Sequence, residues 1–154
     1  MFSKLLQRTV RILETMAAVL FIAILGFTSL NIILRNVLGI SWIFVEGLLR
    51  LMFIWMVFLG TAALYYRGDH LVMDFFQGKM PPRMQNAVIL CGELLFLAVA
   101  AVLIVYGIEV TRIRMGIPFE TWDVPTGYAF LAVPVNASIM ALFCVNRILE
   151  RVRR

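Results

Sequence analysis

Four apolar runs, each about as long as a bilayer is thick, constrain this chain more than any other feature. The first, "MAAVLFIAILGFTSLNIIL" at 16–34, carries no charge. The second covers 42–66, the third 87–107 and the fourth 124–145. A helix needs about 20 apolar residues to cross roughly 30 Å of hydrocarbon. Backbone polar groups must find partners within the segment in lipid, so these runs are expected as helices. Composition agrees, since 62% of the 154 residues are hydrophobic, whereas a soluble domain is nearer half. The expectation is an all-α membrane protein: one transmembrane domain over 1–154 with four transmembrane helices.

The basic residues orient those helices. Lys4, Arg8 and Arg11 precede the first run, and Arg147, Arg151, Arg153 and Arg154 close the chain. Arg67, Lys79 and Arg83 fall around the middle loop, while the other two loops hold only Arg35, Arg112 and Arg114. Four spans put both termini and the middle loop on one side, which the positive-inside rule makes the cytoplasm. N- and C-termini are therefore expected to be cytoplasmic, in a multi-pass protein of a bacterial inner membrane. The net charge of +5 then reads as contact with membrane phospholipids, with no nucleic acid implied. The first run is longer than a signal-peptide core, and Asn31, Arg35 and Asn36 stand where a small-x-small cleavage site would be. It is expected to remain as a span. Cys91 and Cys144 fall near the cytoplasmic face, where thiols stay reduced, and are expected as small apolar packing residues.

Between the spans, short interfacial amphipathic segments are expected. Residues 1–15 set Leu5, Leu6, Ile12 and Leu13 against Lys4, Arg8 and Arg11, as in a lead-in lying on the inner surface. Leu71, Val72, Met73, Phe75 and Phe76 suit a brief interfacial helix, ended by Pro81 and Pro82. The third loop, with Trp122 and two prolines, is expected outside. Trp42, Tyr65, Tyr66, Tyr106, Trp122 and Tyr128 fall near span ends, as an aromatic belt does.

A few polar residues interrupt the grease. At the helical rise, Glu46 lies about 6 Å and Arg50 about 12 Å past Trp42, on one face. Each such charge costs on the order of 3 kcal/mol at the bilayer centre. Pairing lowers the cost but does not explain why the charges are there, so this face is expected to point at protein: another helix of the chain or a partner. Glu93 is a second buried acid, expected within hydrogen-bonding reach of the inner surface, with a proton-relay role as the sharper alternative. Asn31, Asn136 and Ser138 are candidates for bonds between helices. Pro134 is expected to kink the last helix, and Gly26, Gly47, Gly60 and Gly92 to permit close helix approach. His70, the only histidine, sits with Asp74 in the middle loop as a structural residue of the inner surface, too isolated for a metal site. No nucleophile triad, phosphate loop or cofactor motif is present, so neither an enzyme nor a cofactor is expected.

The order of these pieces resembles the small membrane subunit of a tripartite ATP-independent periplasmic (TRAP) transporter. The resemblance rests on "RNVLGISW" at 35–42, Glu46 and Arg50, "WMVFLGTA" at 55–62, "GDHLVMD" at 68–74 and "TWDVPTGYAFLAVP" at 121–134. Where the family often has two adjacent acids, Glu46 stands alone between Val45 and Gly47. The resemblance implies a supporting subunit with two partners. One is a large membrane subunit that performs sodium-coupled transport. The other is a periplasmic substrate-binding protein that captures an organic acid such as a sialic acid or a C4-dicarboxylate. Arg35, Trp42, Glu46, Arg50 and Trp55 are then expected at the partner interface. The absence of an inverted repeat agrees with a scaffold. Two rivals remain at this level: an autonomous proton-coupled exporter working as a dimer, and a redox-enzyme anchor, which one histidine suits poorly.

Overall fold

The computed structural model describes residues 2–40, 42–67 and 82–152. Its elements run α1 (Phe2–Leu38), α2 (Phe44–Arg67), α3 (Pro82–Arg114), β1 (Pro118–Phe119), β2 (Trp122–Pro125), α4 (Gly127–Phe130) and α5 (Ala132–Val152). Four helical stretches are long and apolar enough to cross a membrane: Leu6–Leu38, Phe44–Arg67, Val88–Arg114 and Gly127–Leu149. The first and third of them extend well beyond the apolar runs of the sequence at 16–34 and 87–107.

The largest extension is in α1. The expected surface lead-in is not a separate element, because residues 2–15 are the first turns of a 37-residue helix. Neither glycine nor proline interrupts the chain before Gly26. Val10 and Leu13 are buried in the core rather than turned to a membrane surface. The helix stops where Gly39 takes a φ of +67°, the left-handed conformation that ends many helices. Arg35 lies in the last turn, where the helix dipole favours a cation. Trp42 precedes α2 and accepts its first turn through its carbonyl, from the Val45 N–H at 3.1 Å. Glu46 falls in the first turn of α2, the end that favours an anion.

The helices form two antiparallel pairs, α1 with α2 and α3 with α5, joined where α2 meets α5. The core is small and lies toward the end holding the N-terminus. Val10 and Leu13 of α1 meet Leu59, Ala62, Ala63 and Tyr65 of α2, with Phe143 and Cys144 of α5. Tyr65 stacks on Phe96 at 4.3 Å between ring centres, and Tyr66 meets Phe143 edge-on at 5.0 Å. Elsewhere large apolar side chains such as Ile22, Leu25, Ile33, Leu95 and Val105 point outward, as surfaces that face lipid or protein must.

Two proline effects shape the second pair. The last span is broken at Leu131, between α4 and α5. Pro134 has no N–H to return to the Phe130 carbonyl, so the helix yields one turn before the proline. The Gly107 side of α3 passes so close to Pro134 that a Cβ at 107 would lie 3.1 Å from its Cδ. The loop expected outside is a small antiparallel hairpin, with Phe119 opposite Trp122 and Pro118 opposite Pro125. Thr126 holds its base, the N–H and hydroxyl each donating to the Ile117 carbonyl at 2.8 Å. Asn136 and Ser138 do not bridge helices. The Asn136 amide donates to Ala132 O at 2.9 Å and the Ser138 hydroxyl to Pro134 O at 2.7 Å, both in their own helix. One turn back is simply the nearest carbonyl for a short polar side chain.

Candidate functional site

At the hairpin end, α2 carries its two charges against the hairpin. Glu46 and Arg50, with Gly47, Phe119, Glu120 and Thr121, line a polar recess of about 80 Å³. Gly47 permits this contact: a Cβ there would lie 3.0 Å from the Thr121 hydroxyl and 3.3 Å from the Trp122 Cβ. Glu46 and Arg50 are both exposed. They form no ion pair with each other, since the ion pairs among the described residues are Arg67–Glu14 and Arg147–Glu93. The i, i+4 spacing brings the two side chains to one face but does not close the bond.

The other expected interface residues divide. Trp42 is exposed and stacks on Phe44 at 6.0 Å between ring centres. Arg35 is exposed at the end of α1. Trp55 is half-buried, and its indole N–H donates to the Tyr128 carbonyl at 3.0 Å. That bond ties α2 to α4 inside the chain. His70 and Asp74 lie outside the described residues.

A second cluster sits at the opposite end, around Glu93 of α3. One carboxylate oxygen accepts the Tyr65 hydroxyl at 2.6 Å and the Cys144 thiol at 3.0 Å. The other accepts Arg147 at 3.2 Å. Arg147 also donates to the carbonyls of Tyr65 at 2.8 Å and Tyr66 at 3.2 Å. These are carbonyls of the last turn of α2, which have no partner within the helix. Its guanidinium lies 5.1 Å from the centre of the Tyr65 ring. One cation thus neutralises an acid, caps a helix and joins α2, α3 and α5. Nearby, Arg67 donates to Glu14 at 2.7 Å and joins α1 to α2.

Cys144 is therefore not just an apolar filler, because its thiol is a donor to a charged group. Tyr65, Cys144 and Arg147 escaped the sequence reading as members of one site. The available signal was Glu93 itself, an acid in an apolar run that needs a counter-charge, and Arg147 at the same end of the next span. Among the described residues no group of three or more acid, cysteine or histidine side chains is placed to hold a metal ion.

Residues 24–154 match the family described as "Tripartite ATP-independent periplasmic transporters, DctQ component". The chain belongs to the DctQ family. It is 25% identical over 150 residues to the sialic acid TRAP transporter small permease protein SiaQ of Vibrio cholerae, covering 97% of this chain and 84% of SiaQ. It is also 27% identical over 128 residues to the sialic acid TRAP transporter permease protein SiaT of Haemophilus influenzae. That match covers 82% of this chain but only 21% of SiaT, so most of SiaT lies outside it. A DctQ component is a multi-pass subunit of the inner membrane in a transporter, not a member of an enzyme family. Its partners are a large permease and a periplasmic binding protein. In this DctQ chain the two polar clusters lie at opposite ends, one where α2 meets the hairpin and one where α2, α3 and α5 meet.

Proposed function

We propose that the chain scaffolds the large permease of a sodium-coupled TRAP transporter for organic acids and helps dock its binding protein at the hairpin end. The observation that carries this reading is the pair Glu46 and Arg50. Both are exposed and unpaired among the described residues, in the first two turns of an apolar helix. Charges in such a place are costly unless a protein group meets them. Trp42 and Arg35 extend the same end of the molecule, while Trp55 supports it from within. The hairpin end is periplasmic in this reading and both termini are cytoplasmic, because most Lys and Arg flank the opposite end. His70 and Asp74 are then structural residues of the cytoplasmic loop. The whole chain acts as one transmembrane domain. Sialic acid is the first substrate to test, since both relatives carry it in their names.

The test is Arg50→Leu in the assembled transporter. The large permease should still co-purify, while affinity for the binding protein falls about tenfold, equivalent to about 1.4 kcal/mol. Unchanged assembly, docking and uptake would remove the assignment.

A further inference from the structure

Between α3 and the α4–α5 segment runs an apolar groove of about 470 Å³. Ile108, Thr111 and Met115 form one wall, at the spacing of a single helix face. Leu131, Val135 and Ser138 form the other, with the same spacing. Seven residues of helix make the groove roughly 10 Å long. It lies beside the close approach of Gly107 and Pro134 and extends toward the hairpin end of the chain.

The walls need no polar partner. The Thr111 hydroxyl donates to Gly107 O at 2.7 Å and the Ser138 hydroxyl to Pro134 O at 2.7 Å. What remains facing the groove is hydrocarbon. At its border is Arg112, exposed and in the last turn of α3. The end of the helix dipole favours a cation there, yet the guanidinium makes no hydrogen bond or ion pair among the described residues. Glu109, one turn earlier and also exposed, is not within ion-pair distance of it. Arg114 is engaged elsewhere, its guanidinium 5.2 Å from the centre of the Phe130 ring.

A helix is about 10–12 Å wide with its side chains, so a partner helix could lay only about two turns on so short a groove. Hydrocarbon walls with one uncompensated cation at the rim match an amphiphile instead. We propose that this groove is a phospholipid site: one acyl chain lies between Thr111 and Val135, and Arg112 holds the headgroup phosphate. The lipid comes from the leaflet at the hairpin end, whichever side of the membrane that is. The site does not depend on the docking role of Glu46 and Arg50.

The experiment uses the chain with its large permease, reconstituted into phosphatidylcholine vesicles containing a photoactivatable lipid. Two probes carry the same diazirine-tagged acyl chain, one on phosphatidylglycerol and one on diacylglycerol, which lacks phosphate. The phosphatidylglycerol probe should label peptides of α3 and α5 that line the groove, at least threefold more than the diacylglycerol probe. Arg112→Gln, a change at an exposed side chain, should erase that preference. Val135→Trp, which fills the groove, should cut labelling by both probes at least fivefold. Absence of groove labelling in the unmodified chain would overturn the proposal. Equal labelling by the two probes, or labelling indifferent to both substitutions, would do the same. So would a photoreactive side chain at 135 that cross-links to the large permease in place of lipid.

Discussion

Arg147 ties three helices together through one guanidinium, bonding Glu93 of α3 and the Tyr65 and Tyr66 carbonyls of α2. It is 30% exposed at its side chain, against 10% for Glu93, so the acid is the more deeply placed partner. Removing one member of such a pair leaves the other uncompensated, which costs about 3–5 kcal/mol. Arg147→Met should therefore lower the melting temperature of the purified complex sharply. Glu93→Leu combined with Arg147→Met should recover most of that loss, because the stranded charge is gone. If the double variant melts no higher than the single one, the helix-capping bonds to Tyr65 and Tyr66 outweigh the ion pair. At this scale the sequence was legible in part. Glu46, Arg50 and Glu93 announce themselves as charges in apolar runs. Tyr65 and Cys144 do not, because a tyrosine near a span end and a cysteine in a span both have ordinary apolar uses. Arg147 looked like one more base in a basic tail.

The elements were legible to the extent that hydropathy reports length. Four spans are visible as four apolar runs, but their ends are not, since helices continue through charged turns such as Lys4–Arg11 once packing supports them. The hairpin at 118–125 was read only as a loop: two prolines and short strands give no clear alternation. The break at Leu131 follows from Pro134, though the missing bond moves the disruption to the turn before the proline. The close crossing of α3 and α5 at Gly107 and Pro134 belongs to this scale too. Gly107→Leu should overpack that crossing and destabilise the complex by roughly 1–3 kcal/mol, read from thermal melts. Gly26→Ala, with nothing within 4 Å of the added Cβ, should be neutral or slightly stabilising, since alanine is the better helix former. Equal effects of the two substitutions would mean that the α3–α5 contact contributes little.

For the whole molecule, two helix pairs share a narrow core at one end and leave broad apolar faces outside. That shape suits a subunit that lines a larger membrane protein. Its orientation is open to a direct measurement. With Cys91 replaced by alanine and Cys144 left buried, Glu120→Cys places a thiol in the hairpin turn. A membrane-impermeant maleimide should label it from the periplasmic side of intact cells, and labelling only after lysis would invert the topology. The number of spans, their helical nature and the end that carries the positive charge were determined by the sequence alone. Those properties follow from transfer into hydrocarbon, which is nearly additive along a chain. Which residues meet was decided only by the tertiary structure. Glu93 finds Arg147 across 54 positions, Trp55 finds Tyr128 across 73, and Glu46 misses Arg50 across four. Such meetings depend on how helices cross and rotate about their axes, which is a property of the packed bundle and of no single segment.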